Sequence, residues 1–174
     1  MAMARRPPVK ALMEYSEEKQ KNAILYFLEH ANNPTLGKTK LLKLLYFLDF
    51  GFFEKHGESV TGDTYKKLQF GPVADRSMRL LDEMEASEEV TRVPTQAGPY
   101  DQTRYVSNVR ADLSVFNGAE LEELEDVART YAHYTGSQVT QITHDEAPWK
   151  ATEDGELIDY RLAWYRRPED PEEL

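Results

Sequence analysis

The sequence predicts an α+β protein, mainly α-helical: one compact domain of five to seven helices with a small antiparallel β element. Three observations carry that expectation. Several segments repeat apolar residues at intervals of three and four, the spacing of one helical face. Two stretches, 64–70 and 89–109, combine strand-forming residues with Gly and Pro at their turns. The chain has 174 residues, of which 40% are hydrophobic and 11% aromatic, so it suits one domain and can bury a real core.

Residues 16–31 read SEEKQKNAILYFLEHA. Ser16 is placed to cap a helix, and Glu17 and Glu18 fall in its first turn, where the helix dipole favours anions. Ala23, Ile24, Phe27, Leu28 and Ala31 form its apolar face, and Asn32, Asn33 and Pro34 end it. A second helix is expected from Thr39, acting as cap after Gly37, and continues through KLLKLLYFLDFGFFEKH. It is apolar nearly all round, which predicts the central and most buried helix. Lys40 and Lys43 stand at its N-terminal end, the unfavourable end for a cation, and are expected to snorkel to solvent.

Gly57 and Gly62 bracket a turn. TYKKLQF, residues 64–70, then predicts a short strand with Tyr65, Leu68 and Phe70 as its apolar residues. Gly71-Pro72 is expected to stop it, with Pro72 opening a helix over about 73–86. Residues 89–109 predict a β-hairpin, EVTRVP against TRYVSNV, turning through Gln96 to Tyr100. Asn117 can cap the next helix, whose stripe is Leu121, Leu124, Val127, Ala128 and Tyr131. Its acidic residues read as a solvated face. Thr135-Gly136 is expected to end it, and Ser137 to cap the short helix SQVTQITH. HDEAPWK and a turn at Asp154-Gly155 follow. Leu157 to Tyr165 supply one more apolar element, either a helix or part of the terminal packing. Residues 1–15 read as a flexible arm, 16–167 as the domain, and 168–174 as an acidic disordered tail.

Acidic side chains outnumber basic ones, 31 to 21, for a net charge of −10. Generic nucleic-acid binding is disfavoured, because phosphate neutralisation drives that affinity. The charge is uneven: residues 1–80 carry +4 and residues 81–174 carry −14. With no cysteine, the chain has no disulfide, thiol nucleophile or zinc-thiolate site. No apolar run approaches a membrane span, and MAMARRPPVK lacks the apolar core of a signal peptide. A cytoplasmic protein is the simplest expectation.

No phosphate-binding glycine loop, nucleophile elbow or H-E-x-x-H helix is present. The reading is therefore of no catalytic, cofactor-binding or metal-ligating residues. His30, His56 and His133 lie near the C-terminal ends of expected helices, where a histidine suits the dipole. His144-Asp145-Glu146 is the one cluster that suggests general-base or metal chemistry. Adjacent side chains rarely converge on one ion, however, and a structural role at a helix end is the stronger reading. Trp149 reads as an anchor for the following turn, with a partner hot spot as the alternative.

Three blocks occur in a definite order. Lys40 to Phe47 read K-L-L-K-L-L-Y-F; Tyr65 to Val73 read Y-K-K-L-Q-F-G-P-V; Ile142-Thr143-His144 and Pro148-Trp149 come some 70 residues on. Together they resemble the Panacea domain, also called the SocA-like antitoxin domain, carried by bacterial and phage proteins known as phage-associated proteins. Its members show a K-L-x-K-L-L-Y-F helix, an aromatic-rich strand ending in G-P-V, and a late L-T-H-x-x-x-x-W stretch. The resemblance spans about residues 17–160.

The resemblance implies a mainly helical fold and an antitoxin of a two-gene toxin–antitoxin module, which binds and neutralises a cognate protein toxin. An alternative within the family is an adaptor that delivers its toxin to a Clp-type protease. The matching positions are Lys40, Leu41, Leu44, Leu45, Tyr46, Phe47, Tyr65, Phe70, Gly71, Pro72, Val73, Thr143, His144 and Trp149. They are expected to be structural or toxin-binding. Two other readings compete. A nucleic-acid-binding regulator would need Arg5, Arg6, Lys10, Lys38, Lys40, Lys43, Lys66 and Lys67 on one face. A hydrolase would centre on His144 with Asp145 or Glu146.

Overall fold

A computed structural model describes residues 5–10 and 13–166. Among them are six α-helices and two antiparallel strand pairs, in agreement with the expected α+β, mainly helical class. The tail expected at 168–174 lies outside the described residues.

Helix α1 is Glu17–His30, and Ser16 caps it by accepting a bond from the Lys19 amide at 3.2 Å. Helix α2 is Lys38–His56. It starts one residue before Thr39: Gly37 is the cap, with no side-chain bond, so Thr39 lies inside the first turn. Phe27, Leu44, Leu45, Leu48, Phe50 and Phe53 are all buried, and α2 runs through the middle of the core as expected. The C-terminal Gly57 has φ 74, and a Cβ there would lie 2.2 Å from the carbonyl oxygen of Pro8. The segment 5–10 therefore passes close over the end of α2, and the Lys10 amide donates to the Gly57 carbonyl at 3.0 Å.

Strand β1 (Tyr65–Leu68) and strand β2 (Gly71–Ala74) form a hairpin with Gln69-Phe70 as its turn. This corrects the expectation for Gly71-Pro72, which are the returning strand rather than a stop and a helix start. Helix α3 begins only at Ser77 and runs to Ala86. The reason lies in the pairing. The outer edge of β1 is bonded to residues 156–158, so β2 is an edge strand, where a proline without an amide hydrogen is tolerated.

Strand β3 (Val90–Ala97) and strand β4 (Tyr100–Ser107) form the second hairpin, with Gly98-Pro99 at the turn as the sequence suggests. Helix α4 (Gly118–Thr130) has Asn117 in a full capping box with Glu120. Helix α5 (Gly136–Asp145) has the same device from Thr135 and Gln138, so Thr135 opens α5 and Ser137 is not its cap. Helix α6 is the single turn Ala147–Lys150, and a 3-10 helix covers Tyr160–Tyr165. Helices α1, α4 and α5, strand β2 and this 3-10 helix all pack against α2.

Candidate functional site

The first motif block lies on the N-terminal half of α2, and its two lysines point inward. Lys40 and Lys43 are 0% and 1% exposed, which overturns the expectation that they reach solvent. The Lys40 ammonium donates to Thr35 Oγ1 at 3.0 Å and to the Ala132 carbonyl at 3.1 Å. The Lys43 ammonium donates to the Pro72 carbonyl at 3.1 Å. Burial pushes both ammonium groups down to about 8. Each lysine ties α2 to a distant segment: one to the α4–α5 connection, the other to the β1–β2 hairpin.

Leu41 and Leu44 are core residues, and Phe47 stacks on Tyr131 with centroids 3.9 Å apart. The Tyr46 hydroxyl donates to Glu146 Oε2 at 2.6 Å. Burial first, and then the Glu146 charge, raises the Tyr46 phenol well above its ordinary value. Tyr65 of β1 is also fully buried and donates to Asp49 Oδ2 at 2.6 Å. Asp49 accepts from the Thr61 amide and hydroxyl as well. Burial nevertheless pushes its carboxyl up to about 6, against those hydrogen bonds.

The second and third blocks meet at the hairpin. Gly71 has φ 116, and a Cβ there would stand 2.7 Å from Lys43 Cε and 2.9 Å from Thr143 Oγ1. The strand thus lies directly on the first block's lysine and the third block's threonine, with no room for a side chain between them. Pro72 and Thr143 are buried, and Val73 is half-buried. Trp149 stacks on His144 with centroids 4.0 Å apart, and its indole nitrogen reaches the Leu68 carbonyl at 3.4 Å. Lys67 places its ammonium 3.9 Å over the Trp149 ring. Lysine, tryptophan and histidine form a stack that braces one side of β1, so Trp149 holds this strand rather than the expected turn.

The hairpin presents its other side to solvent. Phe70 is 66% exposed at the turn, and Leu68 is 46% exposed. Leu157, which pairs beside β1, is 58% exposed. Of the motif positions, Phe70 alone combines a large apolar side chain with this degree of exposure; most of the others build the support beneath it.

The cluster 144–146 does not converge. Asp145 accepts from Gln141, Glu146 accepts from Tyr46, and His144 lies against Trp149. The His144 Nε2 is buried without a hydrogen-bond partner. Burial, followed by the charges of Lys43 and Lys67 and against that of Asp145, lowers its basicity. No group of three potential metal ligands occurs among the described residues.

The basic residues do not gather either. Lys40 and Lys43 are inside; Lys66 pairs with Asp75, and Lys10 with Glu58. Arg6 lies 4.8 Å from both the Trp164 and the Tyr165 ring centroids. With Lys40 and Lys43 buried, the full set of eight basic residues does not share one solvent-facing surface. Leu157 and Asp49 were missed as site residues. Leu157 becomes part of the site only through pairing across the hairpin edge. Asp49, an acid inside an apolar-all-round helix, was a signal available in the sequence.

The family model for the SocA-like antitoxin Panacea domain matches residues 41–150, which take in all three motif blocks but for Lys40. The chain belongs to this antitoxin family. Comparison with curated proteins gives no match. Membership of the Panacea family gives the chain a general antitoxin role. No helix among the described residues is long and apolar enough to cross a membrane.

Proposed function

We propose that this Panacea domain neutralises a cognate protein toxin by binding it directly, without chemical turnover, in the cytoplasm. One observation carries the reading: the first and third motif blocks meet beneath the solvent-facing hairpin that the second block forms. Lys43 and Thr143 lie against its Gly71 from beneath, and His144, Trp149 and Lys67 stack along its flank. Such an arrangement fixes a protruding surface, which is what binding requires. It leaves the most reactive candidates, His144 and Glu146, facing their own neighbours.

The experiment begins with the reading frame beside this gene. Expressed alone it should arrest growth, and co-expression with this chain should restore it. The two purified proteins should then form a stable complex, with toxin half-life unchanged in cells. A harmless neighbour, or rescue without complex formation, would overturn the reading. A toxin half-life that shortens only when a Clp-type protease is present would replace sequestration with delivery to proteolysis.

A further inference from the structure

We infer that the toxin-contacting surface is the apolar ridge of Phe70, Leu68 and Leu157, and that it fits a partner presenting an apolar pocket rimmed by lysine or arginine. The inference rests on the antitoxin reading and names the surface and the chemistry of its partner.

The ridge follows from strand geometry. Lys66 pairs directly with Leu157, so the two side chains share one face of the strand pair. Leu68 is two residues beyond Lys66 and returns to that face. Phe70 occupies the turn that follows. Leu68 and Leu157 therefore share one face of the hairpin and Phe70 stands at its tip, each of the three 46% exposed or more. Exposed apolar groups gathered in this way mark interaction sites, whereas single ones do not. Tyr100 makes the contrast: it is 74% exposed, but it lies at the turn of the other hairpin beside Gln96, Asp101 and Gln102.

The support is rigid. Gly71 is pressed on Lys43 and Thr143, the Lys43 ammonium holds the Pro72 carbonyl, and Trp149 braces Leu68 from behind. A surface held in its bound shape loses little conformational freedom on association.

The partner's chemistry follows from the surrounding charge. Asp75 and Asp154 pair with Lys66 and Lys67 of the hairpin, Glu156 is bonded to Lys67 through its carbonyl, and Glu153 is bonded in turn to Glu156. Lys66 is paired with Asp75 at 3.1 Å, and Lys67 is engaged by Trp149 and Asp154. Glu156, next to Leu157 in the chain, and Glu153, four residues before it, are exposed and pair with no cation among the described residues. An apolar centre with an acidic margin is complementary to an apolar pocket with a basic margin.

The test uses the full chain and the toxin encoded beside it. Phe70→Asp and Leu157→Asp should each weaken the purified complex by about 30-fold or more, as loss of a hot-spot anchor does, and abolish growth rescue. Both positions are exposed, so thermal midpoints should stay near wild type. Tyr100→Asp should bind as wild type. A Glu153→Gln, Glu156→Gln double variant should associate more slowly at low salt and show a flatter salt dependence. Wild-type binding by both Phe70→Asp and Leu157→Asp overturns the surface while leaving the antitoxin reading intact. Failure of the wild-type chain to bind overturns both. A dimeric wild type that becomes monomeric in Phe70→Asp, with toxin binding retained, assigns the ridge to a second copy of this chain and overturns the toxin assignment.

Discussion

Lys43 illustrates how a single residue can work against stability and still organise the molecule. Its ammonium lies in the interior with the Pro72 carbonyl as its hydrogen-bond acceptor. Holding it at about 8 instead of 10.5 corresponds to ~3 kcal/mol disfavouring the charged form. Lys40 carries a similar shift. For both, the unfolded chain binds more protons than the folded one between pH 8 and 10.5, so stability rises with pH in that window. Urea unfolding between pH 8 and 9.5 should show this rise. Lys43→Met should make it shallower by up to ~1.4 kcal/mol per pH unit. Above pH 10 the buried tyrosines Tyr46, Tyr65 and Tyr160 reverse the trend, because they resist ionisation only when folded.

Asp49 gives the opposite sign in acid. Its carboxyl is raised from 3.8 to about 6, so the folded chain holds the proton longer. That contribution, ~3 kcal/mol, is fully present below pH 3.8 and is lost as pH rises to 6. Comparing wild type with Asp49→Asn across pH 4 to 6 isolates it: the variant should lack this decline.

At the scale of elements, the β1–β2 hairpin depends on one backbone position. Gly71→Ala would place a methyl 2.7 Å from Lys43 Cε at a φ that side chains rarely adopt. We expect a loss of ~2–4 kcal/mol in urea unfolding, since a strained backbone and a core clash add. Helix ends are more modular. Thr135→Ala should remove the cap of α5 and cost ~1 kcal/mol, whereas Ser137→Ala should change little. The sequence pointed to Ser137 because both residues are capping types two positions apart. The choice was made by Gln138, whose side chain completes the box with Thr135.

For the whole molecule, the net charge of −10 acts on association rather than on fold. Part of the acidic α4 is already neutralised internally. Glu120 is bonded to Lys19 at 2.8 Å and Glu123 to Lys55 at 2.6 Å, and both glutamates are buried. The solvated acidic face expected there is thus reduced to residues such as Glu122 and Glu125. Toxin association should still slow as salt is raised; a flat response across a salt series would exclude steering by the acidic surface. Substituting Glu122 and Glu125 should reduce the salt slope, while the paired Glu120 and Glu123 should contribute less to it.

Much of this protein was legible from local pattern. The periodicity of α1, α2 and α4, the caps at Ser16 and Asn117 and the Gly98-Pro99 turn all depend on residues within a few positions of one another. The order of the motif blocks that marks the family spans about a hundred residues, but each block is itself a short local pattern. What the chain places far apart was decided by tertiary structure. Lys43 is buried because Pro72, 29 residues away, lies over it, and Lys40 because the carbonyl of Ala132, 92 residues away, does. Gly71-Pro72 is a strand because β1 stands beside it, although the dipeptide alone reads as a helix start. Leu157 comes to the face that carries Leu68 only after residues 156–158 have paired with β1. Helical spacing reports which residues share a face, because that is a property of one segment. Which faces are covered, and which charges are thereby withdrawn from water, depends on contacts between segments that no local window contains.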